Sequence, residues 1–416
     1  MKRVLLLLPT TSYRNDAFLA AAKRLSVEVV AAANYCHQLA PTWGMAPLMA
    51  LHFDRPEQAA DIVLREIKGD LNAVLAVDDT GVELAALLAE RLGLAGNPVA
   101  AVRFTRDKLA FRHLLREHGF LCPQFHPLAA GEDSRNLAAE LQFPVVVKAR
   151  RLSGSRGVIR ADDSAALVRA VNRVRAIQAK SDRDAQALGL LIEDFIPGRE
   201  YALEGLLVRT ELTTLALFDK PDPLDGPYFE ETLYITPSRL PAALQDGIQR
   251  EVARACRAAG LATGPIHAEM RVNDRGIWLL EVAARSIGGL CGRVLNHRLG
   301  MSLEELILRH ALNTPLPTST HSDASGVMMI PIPERGIFRG GTGLMAARAV
   351  AGVSDIRITA QPGQMVAPPP EGEGYLGFIF SGAAVPEAAE AALRAAHAEL
   401  AFDIQADLPV VRPCTQ

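Results

Sequence analysis

The stretch from Gly264 to Gly289 decides the fold, and it reads GPIHAEMRVNDRGIWLLEVAARSIGG. Residues 266–272 and 277–282 are two runs rich in apolar and β-branched side chains, and a polar tip ending in Gly276 separates them. Runs of this length around a short tip that contains glycine predict a β-hairpin. Each strand of this hairpin would carry one acidic residue, and these two acids are the first candidates for chemistry.

Glu269 lies four residues before Asn273 on the first strand, and Glu281 lies five residues after Gly276 on the second. These nearly equal distances could place both carboxylates on one face, close enough to share a hard cation. Two carboxylates together with substrate phosphates are the usual environment of Mg²⁺. The alternative is a pair of surface acids, but apolar side chains surround Glu281 and an unpaired acid among them would be costly.

Arg285 follows Glu281 by four residues and precedes the small-residue segment 286–289. A planar guanidinium suits a carboxylate or an acyl-phosphate oxygen, because its fork of N–H donors matches two oxygens at once. The alternative is an arginine that only pairs with a neighbouring acid.

Lys148 ends a short β-branched run, FPVVVK, and is followed closely by Ser153, Gly154, Ser155 and Gly157. A lysine at this place can direct its ammonium towards an anion held by the loop. A loop of small residues can also bring backbone N–H groups close to phosphate oxygens. The alternative is an edge strand that ends in a solvated lysine and a flexible turn.

The segment 193–200, EDFIPGRE, places two carboxylates seven residues apart around a Pro-Gly break. In an extended linker the backbone groups of residues 194–196 would be free to pair with a flat heterocycle. Glu200, further along, could accept hydrogen bonds from a ribose diol. The alternative is a strand–turn–strand unit with solvated acids.

The first hundred residues alternate strands with helices. The predicted strands cover residues 4–8, 27–32 and 73–77, and the predicted helices cover residues 16–25, 56–68 and 82–92. This order predicts a parallel sheet with crossover helices, which is an α/β arrangement. Ligands of such sheets bind beyond the C-termini of the strands. Residues 10–13 and the pair Asp78–Asp79 would then border a site, unless the two aspartates only cap the next helix.

The remaining chain predicts helices over 106–118, 163–179 and 241–259, and strands over 143–148, 188–193, 200–208 and 212–218. From about His321 the composition gains Pro and Gly and loses charge, which predicts a separate small α+β domain. A GxGxxG match at 372–377 precedes an apolar strand rather than a helix. It therefore predicts a turn feeding an antiparallel strand, and not a dinucleotide site.

Composition excludes several classes of protein. The chain has 416 residues, enough for two to four domains, and its net charge of −3 argues against a sequence-independent nucleic-acid binder. The five cysteines are scattered and the first apolar run has only five residues, so we expect a cytoplasmic protein without a membrane segment. HExxH and GxxxxGK[ST] motifs do not occur, which argues against zincin and Walker-type sites.

These motifs, in this order, resemble the ATP-grasp superfamily of carboxylate–amine ligases over roughly residues 1–310. Residues 281–285, EVAAR, the segment 218–240 and the tail around 372–396 look most like bacterial L-amino acid ligases of the bacilysin-synthetase type. The resemblance implies an ATP-grasp fold with an N-terminal Rossmann-like parallel-sheet domain and a small C-terminal α+β domain. The implied domains are 1–101, 102–190 (the lid subdomain), 191–318 (the large subdomain with the metal and substrate site) and 319–416.

The resemblance also implies roles for individual residues. The phosphates of ATP would be held by Lys108 and Lys148, with a mobile loop formed by Ser153, Gly154, Ser155 and Gly157, and Lys220 would reach the γ-phosphate. The adenine hinge would consist of Glu193, Asp194, Phe195 and Ile196, and Glu200 would bind the ribose. Mg²⁺ or alternatively Mn²⁺ would be held by Glu269 and Glu281, while Arg285 would stabilise the acyl phosphate and His267 would face the amino-acid pocket. Many relatives have a metal-ligating Asn where this chain has Ala283, which leaves open whether one or two metal ions bind.

The implied reaction is amide formation between a carboxylate and an amine, of the dipeptide type by family analogy. It would proceed through an acyl phosphate with release of ADP and phosphate. The candidate proton acceptors are Glu230, Glu231, His267 and the substrate phosphate.

One alternative to an amino-acid ligase is a formate- or bicarbonate-activating ATP-grasp enzyme of purine synthesis or of the biotin-carboxylase kind. Another is an ATP-binding module without ligase activity. The expected partners are small carboxylates and amines, and family habit suggests a homodimer.

Overall fold

The computed structural model describes residues 1–34, 48–181, 187–316, 323–372 and 374–406. The chain divides into two compact units. The first unit comprises Met1–Cys122, Ile196–Asp219 and Thr236–Asp323, and the second comprises Pro123–Phe195, Lys220–Ile235 and the described residues from Ala324 onward. The boundaries of the four domains expected from the sequence stay a prediction.

The elements follow the sequence expectations to within a few residues at most ends. The strands are β1 (Arg3–Leu7), β2 (Glu28–Ala33), β3 (Leu48–Ala50), β4 (Ala73–Ala76), β5 (Phe125–Leu128), β6 (Val145–Ala149), β7 (Val158–Ala161), β8 (Leu190–Asp194), β9 (Arg199–Val208), β10 (Glu211–Asp219), β11 (Leu233–Thr236), β12 (Gly264–Asn273), β13 (Gly276–Ala283), β14 (Ala324–Ile330), β15 (Gly336–Thr342), β16 (Val353–Ile358), β17 (Met365–Val366), β18 (Gly377–Ala383) and β19 (Ala401–Ala406). The α-helices are Asn15–Arg24, Pro56–Glu66, Val82–Leu92, Val99–Arg106, Lys108–Glu117, Arg135–Ala138, Ser164–Ser181, Ala242–Ala259, Leu295–Leu299, Leu303–Ala311, Leu344–Ala349 and Pro386–Ala398.

The first unit begins with a four-stranded parallel sheet in the order β3-β2-β1-β4. Val4, Leu5, Leu6 and Leu7 are fully buried, as expected for a strand covered on both faces. The expected α/β arrangement is therefore confirmed. The chain adds strands on one side of β1 and then on the other, so the loops after β1 and β4 follow the two strands between which the strand order reverses, the place where such sheets bind ligands.

The first unit also contains an antiparallel group of strands in the order β13-β12-β9-β10. One face of this group packs on helices Lys108–Glu117 and Ala242–Ala259 through an apolar core. The helix expected over residues 106–118 is observed at Lys108–Glu117, so the prediction is confirmed except at its ends. Its start is set by Asp107, whose extended backbone (φ −114°, ψ 107°) and side chain cap the helix that starts at Lys108.

The hairpin β12–β13 contains a β-bulge. Met270 pairs with Leu279 and Glu269 pairs with Glu281, so Leu280 has no partner on β12. The burial pattern shows the same irregularity, because Leu279 and Val282, three residues apart, both lie in the apolar core. A regular strand would send residues two apart to the same face.

The second unit contains an antiparallel sheet in the order β5-β8-β6-β7, covered by helix Ser164–Ser181. Strands β11, β14, β18 and β16 and the small sheet β17-β15-β19 share a further core with helix Pro386–Ala398. The tail is thus α+β, as expected, although His321 lies outside the described residues. The GxGxxG match leads into antiparallel strand β18, as expected, and Glu373 within it lies outside the described residues.

Among the described residues, no helix is long and apolar enough to cross a membrane. Cys122, Cys256 and Cys291 form no disulfide bond within this part of the chain. Cys36 and Cys414 lie outside it.

Candidate active site

The face of β9, β12 and β13 that is turned away from the core carries a concentration of polar side chains. Three rows of residues cross these strands. One row contains Glu204, His267 and Ala283, and the next contains Ala202, Glu269 and Glu281. In the third row, Glu200 lies opposite Arg271. Directly opposed residues on one face have Cβ atoms about 4.5–5.5 Å apart. The strands themselves therefore assemble this group.

Glu269 and Glu281 occupy the middle of this face. Ala202, the neighbour of Glu269 on the third strand, leaves room around the two carboxylates. Lys108, the first residue of its helix, places Nζ 3.6 Å from Glu281 Oε2. The structure therefore brings together the two expected metal ligands and one of the two expected phosphate lysines.

His267 lies between two carboxylates. Its Nδ1 is 3.2 Å from Glu204 Oε2, and its Nε2 is 3.4 Å from Glu269 Oε1. Burial opposes a charge on the imidazole, but the hydrogen bonds to Glu204 and Glu269 outweigh it and raise the pKa of His267 to about 9. Both ring nitrogens are engaged within the site. The expected role in an amino-acid pocket stays a prediction.

Glu204 is fully buried and was missed by the sequence analysis. Its Oε2 also accepts a hydrogen bond from the backbone N–H of Ile287 at 2.9 Å, and burial raises the pKa of its carboxyl group. Glu204 thus joins strand β12 to the segment that follows Arg285. The signal in the sequence was the spacing of Glu200 and Glu204, which puts both acids on one face of a strand.

Glu200 is engaged by an arginine. Its Oε2 lies 3.2 Å from Nε of the buried Arg271, whose Nη1 donates to the carbonyl oxygen of Ile196 at 2.8 Å. A carboxylate oxygen of Glu200 also lies within 4.8 Å of one of Glu269. Glu200 is thus close to the expected metal ligands, and its role as a ribose ligand stays a prediction.

Arg285 faces the loop that follows β4. Its Nε lies 3.5 Å from Asp79 Oδ1. Burial disfavours the charged form, but Asp79 and Glu281 outweigh it and raise the pKa of Arg285 above its ordinary value. Asp78 caps the following turn by accepting a hydrogen bond from the N–H of Thr80. Of the two aspartates, one therefore caps a helical turn and the other borders the site.

The segment after Arg285 is anchored by Arg14, from the loop after β1. Arg14 is buried, and its Nη1 donates to Ser286 Oγ at 2.6 Å and to the carbonyl oxygen of Ile287 at 3.2 Å. Its Nε and Nη2 donate to Glu304 Oε1 at 3.1 and 3.0 Å. Residues 10–13 were expected at the edge of the site, and Arg14 is the next residue along the chain.

In the second unit, Lys148 lies on β6 and its Nζ is 2.5 Å from Oε1 of Glu193 on β8. Glu193 is almost fully buried. The two strands pair directly, with Val146 opposite Glu193. Lys148 is therefore held by an acid of the expected hinge, and is not the solvated lysine of the alternative.

The loop between β6 and β7 turns through three residues in the left-handed region: Gly154 (φ 63°), Ser155 (φ 55°) and Gly157 (φ 66°). Successive N–H groups in such a turn can converge on an anion. The N–H of Gly157, however, donates to the carbonyl oxygen of Pro370 at 3.0 Å. The loop keeps its expected place beside Lys148, and Gly157 contributes structure through this bond.

The hinge is less open than expected. The N–H of Asp194 donates to the carbonyl oxygen of Gln124, and the N–H of Phe195 donates to that of Pro144, both at 3.0 Å. The expectation that the backbone groups of residues 194–196 are all free is therefore wrong, because β8 and its neighbours use two of them. The Phe195 ring lies under the guanidinium of Arg160, 4.4 Å from ring centroid to Cζ.

Lys220 is buried, and its Nζ bonds Glu231 Oε1. Tyr234 donates its hydroxyl to the other oxygen of Glu231 at 2.8 Å. The adjacent Glu230 differs, because burial raises the pKa of its carboxyl group and its Oε1 is buried without a hydrogen-bond partner. Lys220 therefore forms, with Glu231, a second lysine–glutamate ion pair in this unit, and the adjacent acid in the sequence is Glu230, whose pKa is raised.

Two family descriptions match the chain. An ATP-grasp domain matches residues 141–294, and L-amino acid ligase C-terminal domain 2 matches residues 328–405. The chain therefore combines an ATP-grasp domain with a C-terminal domain of the ligase type. This is the combination that the sequence motifs predicted.

Two curated relatives cover about 70% of the chain. Carnosine synthase 1 of Gallus gallus is 29% identical over 317 residues, which are 70% of this chain and 33% of that protein. Alanine–anticapsin ligase of Bacillus subtilis (strain 168) is 25% identical over 308 residues, which are 69% of this chain and 64% of that protein. The match thus spans about a third of the first relative and just under two thirds of the second.

A solved structure is similar along almost the whole chain. The L-amino acid ligase from Bacillus licheniformis has a TM-score of 0.84 at 27% identity, and the match covers 97% of this chain and 99% of that one. The N-terminal sheet, the polar face of β12–β13 and the C-terminal α+β region all fall within this likeness. The chain therefore belongs to the ATP-grasp superfamily and, within it, to the L-amino acid ligases.

Proposed function

We propose that this protein is an ATP-dependent ligase that joins two amino acids through an amide bond and releases ADP and phosphate. The observation that carries the proposal is the pairing of Glu269 with Glu281, with Lys108 in contact with that pair. Membership of the L-amino acid ligase family supports amino acids as both substrates.

The reaction has two steps. In the first, a carboxylate oxygen of one amino acid attacks the γ-phosphorus of ATP, the bond to the β-phosphate oxygen breaks, and ADP leaves. In the second, the amino group of the other amino acid attacks the acyl carbon, the carbon–oxygen bond to phosphate breaks, and the amine loses a proton. Phosphoryl transfer depends mostly on positioning and charge neutralisation. The side chains required are therefore cations and metal ligands.

Three lysines suit the phosphates of ATP. Lys108, Lys148 and Lys220 each lie within an ion pair with a glutamate. These pairs hold the ammonium groups in place before a nucleotide binds, and a phosphate oxygen can then share the same donors. We assign Lys108 and Lys148 to the bound phosphates and Lys220 to the γ-phosphate, with adenine near residues 193–196.

Glu269 and Glu281 fit a hard divalent cation such as Mg²⁺. They offer carboxylate oxygens from directly opposed positions, and a third acid, Glu200, is near Glu269. Ala283 offers no ligand, so phosphate oxygens or water would complete the coordination. A bound Mg²⁺ would neutralise charge on the phosphates.

Arg285 suits the carboxylate and the acyl phosphate formed from it. It is half-buried, its pKa is raised and Asp79 orients it, so its fork need not reorganise as charge develops. The amine must also lose a proton. His267 has both nitrogens engaged and Glu231 has both oxygens engaged, which favours Glu230 or the substrate phosphate as the acceptor.

The test is a phosphate-release screen over pairs of amino acids, including β- and non-protein amino acids, with product masses measured. We expect ADP release that requires Mg²⁺ and two amino acids, and a product mass equal to their sum less one water. Glu281→Ala should abolish this release. Release with bicarbonate or formate in place of amino acids would instead indicate the alternative enzyme class. A cytoplasmic location and a homodimer stay predictions.

A further inference from the structure

We propose that Arg112 is a positioning residue for the metal site, because it holds the bulge that brings Glu281 opposite Glu269. The inference rests on the proposed metal role of these two glutamates. Arg112 is 1% exposed, and nothing in its sequence context marked it for function.

The bulge decides which face Glu281 occupies. Counted outward from the turn, Met270 pairs with Leu279, and a regular ladder would next pair Glu269 with Leu280 and Ala268 with Glu281. Glu281 would then share the core face with Leu279. The extra residue, Leu280, shifts the register by one and returns Glu281 to the polar face.

Arg112 binds the backbone at the bulge. Its Nη1 lies 3.0 Å from the carbonyl oxygen of Leu280 and 3.4 Å from that of Leu279. In a regular strand, successive carbonyls point to opposite edges and one nitrogen could not contact both. The guanidinium therefore recognises the irregular backbone of the bulge. Strand β13 is the last strand on one side of the group, so Arg112 also provides a hydrogen-bond donor to carbonyl oxygens of an end strand.

The same helix also contributes to the site directly. Lys108 and Arg112 are four residues apart on helix Lys108–Glu117 and so lie on one face of it. Lys108 reaches the carboxylate of Glu281, while Arg112 holds the backbone just before it. One rigid element thus sets both the phosphate lysine and the orientation of the metal ligand.

If Arg112 had only a structural role, its replacement should affect the metal site no more than the replacement of another arginine that binds a strand backbone. Arg298 provides the matched control, because its Nε donates to the carbonyl oxygen of Leu215 on β10 at 3.2 Å, away from the two glutamates. Replacing either arginine by methionine removes a contact with a strand backbone, to two carbonyl oxygens for Arg112 and to one for Arg298. Only Arg112→Met should change the metal site.

The experiment measures binding of Mn²⁺ to the full-length protein with a non-hydrolysable ATP analogue, by the loss of the free-ion EPR signal. Removing groups that orient metal ligands typically weakens metal affinity about 10- to 100-fold. We expect a loss of this size for Arg112→Met, a smaller loss for Arg112→Lys, which keeps one donor, and an unchanged affinity for Arg298→Met. Circular dichroism and thermal unfolding establish that each variant is folded.

The outcomes separate the two proposals. If Arg112→Met binds Mn²⁺ as the wild type does, or if Arg298→Met loses as much affinity, the positioning role is overturned. If Arg112→Met does not fold, Arg112→Lys decides, and an unchanged affinity in that variant also overturns the role. If Glu281→Gln binds Mn²⁺ like the wild type, the proposed metal ligands themselves are wrong, whatever Arg112 does.

Discussion

At the scale of single residues, the site consists of charges that are already paired within the protein. His267 lies between Glu204 and Glu269, Arg285 lies against Asp79, and Lys108 lies against Glu281. Each of these charged groups therefore has a partner of opposite charge within the protein before a substrate binds. The substrate then meets donors that need little reorganisation.

Arg285 provides the prediction at this scale. Arg285→Ala should lower kcat for amide formation about 10²- to 10³-fold, the loss typical of removing one donor to a developing oxyanion. The kcat of Arg285→Lys should lie between that of the wild type and that of Arg285→Ala, because lysine keeps the positive charge but lacks the planar fork of N–H donors. Arg275→Ala, at the exposed tip of the same hairpin, should retain wild-type kinetics. Phosphate release measured as kcat and KM checks this, and near-wild-type turnover of Arg285→Ala would refute the assigned role.

At the scale of elements, the polar face depends on strands and helices that are held in register by buried charges. Arg14 joins the loop after β1 to helix Leu303–Ala311 through Glu304, and to the segment after Arg285 through Ser286. Both members of the Arg14–Glu304 pair are buried. Removing one member of such a pair leaves an uncompensated charge in the interior.

Arg14→Met should therefore lower the free energy of unfolding by about 3–5 kcal/mol, because Glu304 remains buried without its partner. Arg14→Met combined with Glu304→Met should lose less than the sum of the single changes. Urea unfolding of the four proteins gives this coupling directly.

The control for this prediction is the pair Arg24–Glu305, which joins helices Asn15–Arg24 and Leu303–Ala311. The Arg24 side chain is 50% exposed, and exposed pairs contribute about 0–1 kcal/mol. Arg24→Met should cost no more than that. Equal losses for Arg14→Met and Arg24→Met would show that burial of the Arg14 pair does not matter.

At the scale of the whole molecule, binding of a nucleotide is linked to the stability of the folded protein. A ligand that binds the native state stabilises it by mass action, by about 2.7 kcal/mol at a concentration 100 times its Kd. Nucleotide binding should therefore be visible as a shift in thermal unfolding.

ATP with Mg²⁺ should raise Tm. Excess EDTA should remove most of the increase, because Glu269 and Glu281 would then no longer hold the cation that would neutralise charge on the phosphates. Glu269→Gln and Glu281→Gln should reduce the Mg²⁺-dependent part of the shift and keep the part caused by ATP alone. Differential scanning fluorimetry with and without EDTA measures both parts. A Tm increase that is the same with EDTA would contradict the metal assignment.

Much of the fold and of the candidate site could be predicted from local sequence. The strands of the N-terminal sheet, the hairpin 264–283 and the order of the motifs follow from short-range patterns of apolar residues and turn residues. The nearly equal spacing of Glu269 and Glu281 about the turn led to the expectation that they share a face. The pairing confirms this outcome, but the bulge at Leu280, and not the spacing, produces it. The inequality of that spacing, four residues against five, was the trace of the bulge.

What the sequence by itself determined is therefore the set of elements, the family and most of the candidate residues for the site. Only the tertiary structure decided which polar atoms are already used: both nitrogens of His267, the N–H groups of Asp194 and Phe195, and the carbonyl oxygens held by Arg112. The physical reason is that a buried polar atom must find a partner, and the partner comes from a distant part of the chain that no local period encodes.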